Sequence, residues 1–150
     1  MEIKDMLKRE NCIVIDSVAD WRDACEKGTE KLIAGGYITH KYTEAIISNA
    51  EEFDAYFVLC PGIALLHAQS TEGVNETQLS LTYVKTPFKF DGKDDDVTLM
   101  ITLAATQGDD HMNAIQQIAM ILSDDETLNK ALNTPDADKL FELFTSVKLG

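Results

Sequence analysis

Three histidines, His40, His67 and His111, are the side chains of this chain whose unperturbed pKa lies near neutrality. They are the first place to look for proton or group transfer. His67 closes the apolar run PGIALL (61–66) and opens the polar stretch AQSTEGV (68–74). A residue there is held by a strand yet faces an opening, where rigid scaffolds present nucleophiles, acids and bases. A strand-end histidine satisfied by a backbone carbonyl would occupy the same position, so the residue alone leaves both readings open. His111 falls in the first turn of a helix expected to begin at Asp109 or Asp110. It shares one face with Ile115, Ile118 and Leu122 at helical spacing. A histidine heading an apolar stripe points toward the core. Near a helix N-terminus its imidazole should stay neutral and donate one hydrogen bond. A core histidine at a helix cap is the competing reading. His40, beside Lys41, reads as a surface residue.

Two buried histidines with a nearby carboxylate could also bind a metal. Their spacing matches no zinc motif, and no metal is assigned. The Walker A loop, GxGxxG, HExxH and GxSxG are all missing. The 26 acidic residues include no pair that sequence can place across a cleft.

The elements that must position these residues alternate along the chain. Residues 2–9 read as a short charged helix, and Ile13-Val14-Ile15 as a short strand. Asp20 is an N-cap candidate. Trp21, Cys25, Gly28 and Leu32 follow at helical spacing, and Gly35-Gly36 ends that helix. Thr39 can cap a helix whose apolar face includes Tyr42, Ile46 and Phe53. The run Ala55 to Leu59 reads as a strand buried on both faces. Pro61-Gly62 turns the chain into a second apolar run. Leu79, Leu81 and Tyr83 alternate with more polar positions, a turn is expected around Asp91-Gly92, and Val97 to Ala105 reads as a central strand. The last third is helical. Ser123 and Glu126 stand in capping-box register, and Thr134-Pro135 looks like an N-cap followed by proline at the first helical position. The final helix packs Leu140, Phe141, Phe144 and Val147. The fold class is α/β, α+β-like: a three-layer sandwich with a mixed sheet of about five strands and helices on both faces.

At 150 residues, residues 1–150 fit one domain with one real core. Lys and Arg total 13 against 26 Asp and Glu, a formal charge of −13. That charge opposes nucleic acid and anionic membrane surfaces, and favours basic partner surfaces. No signal peptide or membrane-spanning run stands out. Cys12, Cys25 and Cys60 are odd in number and widely spaced, as reduced thiols of a cytoplasmic protein would be.

The stretch YFVLCPGIALLHAQSTEGV (56–74) resembles the active-site segment of the enzyme IIA components of the bacterial phosphoenolpyruvate-dependent sugar phosphotransferase system. The branch it resembles is the mannitol/fructose superfamily. Pro61, Gly62, Ile63, Ala64, His67, Gly73 and Val74 match the family motif. Leu66 stands where the family usually has Pro, and Gln69 where it usually has Arg. The YFV before the motif looks most like the ascorbate-type branch, and His111 falls where the family has a second histidine heading a helix.

The resemblance implies a phosphoryl carrier that uses no cofactor. His67 would accept a phosphoryl group from phosphorylated HPr through Nε2 and pass it to a cysteine of a IIB component. IIB in turn serves a membrane IIC transporter. His111 would stabilise the phosphoryl group, and Gln69, Ser70 and Thr71 are the candidate phosphate contacts. A regulatory IIA-like module, controlling a partner by its phosphorylation state, is the alternative. Whether the chain forms a homodimer stays open.

Overall fold

The computed structural model describes residues 2–53, 58–68, 72–90 and 94–146. The chain starts with one helical turn, α1 (Ile3–Met6), and passes directly into β1 (Leu7–Ile15). Both differ from the expected helix over 2–9 and the three-residue strand. The reason lies in pairing. Leu7 lies beside Leu79 and Cys12 beside Leu81, so the polar residues 8–11 bulge out of the ladder between them. A helix-favouring polar stretch is thus overridden by its neighbour strand.

Next come α2 (Trp21–Ala34) and α3 (His40–Phe53). Asp20 caps α2 as expected, its carboxylate accepting from the Asp23 N–H. The α3 helix starts directly after Thr39 and buries Tyr42 and Ile46; the side chain of Phe53 lies outside the described residues. β2 (Val58–Cys60) and β3 (Gly62–Leu66) form an antiparallel pair joined at Pro61-Gly62. Gly62 has φ +97°, a conformation that a side chain resists. β2 is an edge strand with Leu59 exposed, not a strand buried on both faces; Ala55, Tyr56 and Phe57 lie outside the described residues.

β4 (Gln78–Phe88) and β5 (Val97–Ala104) are antiparallel neighbours. The turn expected at Asp91-Gly92 lies outside the described residues. The sheet order is β1-β4-β5-β3-β2, with β5 central as expected, β1 parallel to β4 and β3 parallel to β5. The chain ends in α4 (Gly108–Leu122), α5 (Asp125–Asn133) and α6 (Ala137–Thr145). Three caps differ from expectation. Gln107 precedes α4. Asp124 rather than Ser123 caps α5, accepting from the Thr127 N–H. Asp136 rather than Thr134 caps α6, accepting from the Lys139 N–H. An ionised carboxylate is the stronger acceptor and suits the positive end of a helix, which explains the choice of Asp over the nearby hydroxyls.

Strand alternation divides the core in two. Ile63, Leu65, Leu99, Ile101 and Leu103 face α4 and α6, with Ile118, Leu140 and Phe144. Ala64, Leu66 and Met100 face α2 and α3, with Leu32, Tyr42 and Ile46. The sheet is therefore the middle of three layers. The more polar face of β4 is buried too. Ser80 Oγ and Thr102 Oγ1 both donate to the Gly28 carbonyl, at 2.8 and 2.9 Å. A Cβ on Gly28 would sit 2.9 Å from Leu66 Cδ1, so glycine lets α2 come this close. No helix among the described residues is long and apolar enough to cross a membrane.

Candidate functional site

β3 and β5 run parallel, with Leu66 beside Thr102. Their C-terminal ends therefore share one edge of the sheet, where α/β sheets commonly build sites. His67 is the first residue past β3. The chain leaving β5 turns through 105–107 into α4, and His111 sits in the first turn of that helix. The two imidazoles meet with ring centroids 5.3 Å apart and planes tilted by 52°. Sequence reasoning singled out both residues, and the fold brings them together.

His67 Nδ1 lies 2.9 Å from the Leu65 carbonyl oxygen. A carbonyl only accepts, so Nδ1 carries the proton. In the neutral ring the lone pair is then on Nε2, the nitrogen a nucleophilic histidine must present. The bland reading of His67, a ring satisfied by a backbone carbonyl, is thus correct for one nitrogen and orients the other.

His111 is half-buried, and its pKa is held below the usual histidine value. Burial is the larger cause and the facing His67 ring the second. The downward direction agrees with that expected at a helix N-terminus, but burial is its leading cause. A neutral His111 can donate one hydrogen bond to an anion near His67 and does not repel a proton arriving on that ring.

A second set of contacts fixes the turn that carries His111. Thr77 Oγ1 accepts from the Thr106 N–H at 3.1 Å and lies 3.1 Å from Asp110 Oδ2, to which it donates. Thr77 is buried and stands one residue before β4. It ties the start of one strand to the exit of the next and to the residue beside His111. Sequence reasoning missed it, since a lone threonine before a strand carries no signal of its partners.

Gln69, Ser70 and Thr71 lie outside the described residues. On their far side, Gly73 has φ +82°, its carbonyl accepts from the Thr39 N–H at 2.8 Å, and Val74 bridges Ile38. His40 is exposed, as expected, with Glu26 and Glu44 at its two ring nitrogens. The hydrogen bond to Glu26 is the main cause of its raised pKa. Cys12 and Cys25 are buried, and burial pushes both thiols up to about 12. That makes them packing residues, not nucleophiles. No group of three or more His, Cys, Asp or Glu among the described residues could hold a metal ion.

Residues 6–147 match the family model of the phosphoenolpyruvate-dependent sugar phosphotransferase system, EIIA 2. The chain is 32% identical over 146 residues to the ascorbate-specific PTS system EIIA component of Salmonella typhimurium, covering 95% of each. It is similar at 30% identity over 145 residues to the mannitol-specific cryptic phosphotransferase enzyme IIA component of Escherichia coli, covering 97% of this chain and 99% of that one. The solution structure of the latter superposes with a TM-score of 0.89 over 98% of this chain and all of its own. The mannitol enzyme IIA of Escherichia coli, solved in complex with phosphorylated enzyme IIB, shares the fold. Its TM-score is 0.80 at 23% identity, over 95% of this chain and 100% of that one.

Proposed function

Because this chain belongs to the EIIA 2 family of the phosphoenolpyruvate-dependent sugar phosphotransferase system, and so is a phosphoryl carrier for sugar uptake, we propose that His67 is its acceptor. The observation that carries the proposal is the hydrogen bond from Nδ1 to the Leu65 carbonyl, which leaves Nε2 as the nucleophile beside a neutral His111. In the first step a P–N bond forms at His67 Nε2 as the P–N bond to the phosphohistidine of HPr breaks. The donor ring recovers its lone pair. In the second step the bond to His67 breaks as a P–S bond forms at a cysteine thiolate of IIB. The same phosphoryl group moves on, and no oxidant or cofactor enters. Such transfers depend on alignment and charge stabilisation more than on covalent help. His111 supplies a hydrogen bond to the phosphoryl oxygens, and Gln69, Ser70 and Thr71, next in sequence after Ala68, are the proposed contacts for the rest.

We place residues 1–150 as one EIIA unit in the cytoplasm, with HPr as donor, IIB as acceptor and the membrane IIC served indirectly. The solved IIA–phospho-IIB complex of the mannitol neighbour supports the choice of acceptor. The ascorbate-specific relatives support an ascorbate-type cargo, which the IIC partner selects. The test is incubation with phosphoenolpyruvate, enzyme I and a matched HPr. Wild type becomes an acid-labile, alkali-stable phosphoprotein, and His67→Ala does not. An unlabelled wild type, or normal labelling of His67→Ala, overturns the assignment.

A further inference from the structure

Tyr42 lies in the first turn of α3 and is only 1% exposed. Its hydroxyl donates to the Leu103 carbonyl at 2.6 Å and accepts from the Ala68 N–H at 3.1 Å, with the Ala68 carbonyl oxygen also 3.4 Å away. The register of β3 and β5 gives these contacts a meaning. Leu65 lies beside Ile101 and Leu66 beside Thr102, so Ala68 would continue the series beside Ala104. In a parallel ladder the next rung would run from the Ala68 N–H directly to the Leu103 carbonyl. The Tyr42 hydroxyl stands in that rung. It satisfies both groups while keeping the two strands apart just past His67.

We propose that Tyr42 is a positioning residue for phosphoryl transfer: its hydroxyl, wedged between Ala68 and Leu103, opens the sheet at His67 and holds the ring in its Nδ1–H form. The proposal rests on the reading of His67 as acceptor. A second contact supports it. The same α3 entrance holds Gly73, six residues after His67, through the Thr39 N–H to the Gly73 carbonyl at 2.8 Å. A Cβ on Gly73 would come within 2.7 Å of the Tyr42 backbone nitrogen, so Gly73 rests directly on this turn. Burial pushes the Tyr42 hydroxyl up to about 12, so it remains a donor throughout the working range. Without the hydroxyl two outcomes are open to the chain. The Ala68 N–H is left buried and unpaired, or the strands close on each other and carry His67 toward β5. Either one disturbs the Leu65 contact that fixes the ring.

The test compares Tyr42→Phe with Ser80→Ala. The second variant also loses a buried hydroxyl bond, to the Gly28 carbonyl, away from His67. Nitrogen-15 correlation spectra of the His67 ring read its tautomer, and labelling from phosphorylated HPr reads the rate. Tyr42→Phe is expected to turn a single Nδ1–H tautomer into a mixture and to slow labelling about tenfold or more. Ser80→Ala should leave both within about twofold while lowering thermal stability. An unchanged tautomer and rate in Tyr42→Phe, or equal changes in Ser80→Ala, overturns the proposal. If Tyr42→Phe does not fold, wild type decides. A slowly exchanging Tyr42 hydroxyl proton with a cross-peak to the Ala68 amide supports the wedge, and its absence overturns it. The tautomer is read without phosphorylation, so a wild type that never labels sinks the carrier assignment and leaves this test standing.

Discussion

The rings of His67 and His111 face each other at 5.3 Å, and the His67 ring adds to the burial that holds the His111 pKa down. Two cations at that separation repel strongly in a partly desolvated site. A His111 that resists protonation suits a carrier, because it can offer the neighbouring ring's phosphoryl group a hydrogen bond without first taking up a proton.

Phosphorylation reverses the sign of that coupling. A phosphoryl group on His67 brings negative charge to within reach of His111, and the His111 pKa should rise above its value in the unphosphorylated protein. Titration of the His111 ring by NMR, with and without the phosphoryl donor, checks this. A pKa that stays put or falls would remove His111 from the phosphoryl environment.

The same residue sets a pH dependence of stability. His111 is depressed in the folded state, so the unfolded chain binds its proton first as pH falls. Its contribution is therefore complete above the ordinary histidine value of ~6.5 and is lost as pH drops through it. His40 acts in the opposite sense, since Glu26 and Glu44 raise it, but it is exposed and screened. His111→Gln should flatten the decline of melting temperature between about pH 6.5 and 5, the range below the ordinary histidine value. Circular dichroism melts across that range measure it.

Gly62 and Gly36 both hold positive φ, at +97° and +78°, but in different surroundings. A Cβ on Gly36 meets nothing within 4 Å, whereas one on Gly62 comes 2.5 Å from Leu132 Cδ2. Leu132 can swing aside, but the backbone strain remains. Gly36→Ala should cost about 1 kcal/mol and leave labelling intact. Gly62→Ala should cost about 1–3 kcal/mol and slow labelling several-fold, because it strains the turn that aims β3 at His67. Urea unfolding and initial labelling rates separate the two.

Thr77→Val keeps the shape and removes the hydroxyl shared by the Thr106 N–H and Asp110. A cost of about 1–3 kcal/mol follows from leaving those groups short of a partner. The turn bearing His111 loosens with them, so the labelling rate should fall too. Loss of stability with an unchanged rate would show that the turn is held by other contacts.

Much of this could be read from residue order. Apolar runs located β3 and β5, and the switch from PGIALL to AQSTEGV marked His67 as the residue at the lip. The helical stripe behind His111 turned it toward the core, and the parallel pairing of β3 and β5 brought it to His67. What escaped was set by contacts distant in sequence. Residues 7–15 form a strand because Leu79 to Val84 lie beside them, and the polar bulge over 8–11 hid the strand. Asp124 and Asp136 took the caps assigned to Ser123 and Thr134, a choice among adjacent polar residues that pattern does not rank. Tyr42 appeared only as an apolar helix position, since its hydroxyl has a role only once Ala68 and Leu103 are adjacent.

The sheet order also bears on how the chain is made. Synthesis runs from the N-terminus, so Leu7 emerges long before Leu79, its neighbour in the ladder. β1 must wait unpaired until most of the sheet exists, while β4 and β5, joined in sequence, can pair at once. Lys8, Arg9 and Glu10 break that segment's apolar positions with charge, the device by which unpaired strands resist pairing with other chains.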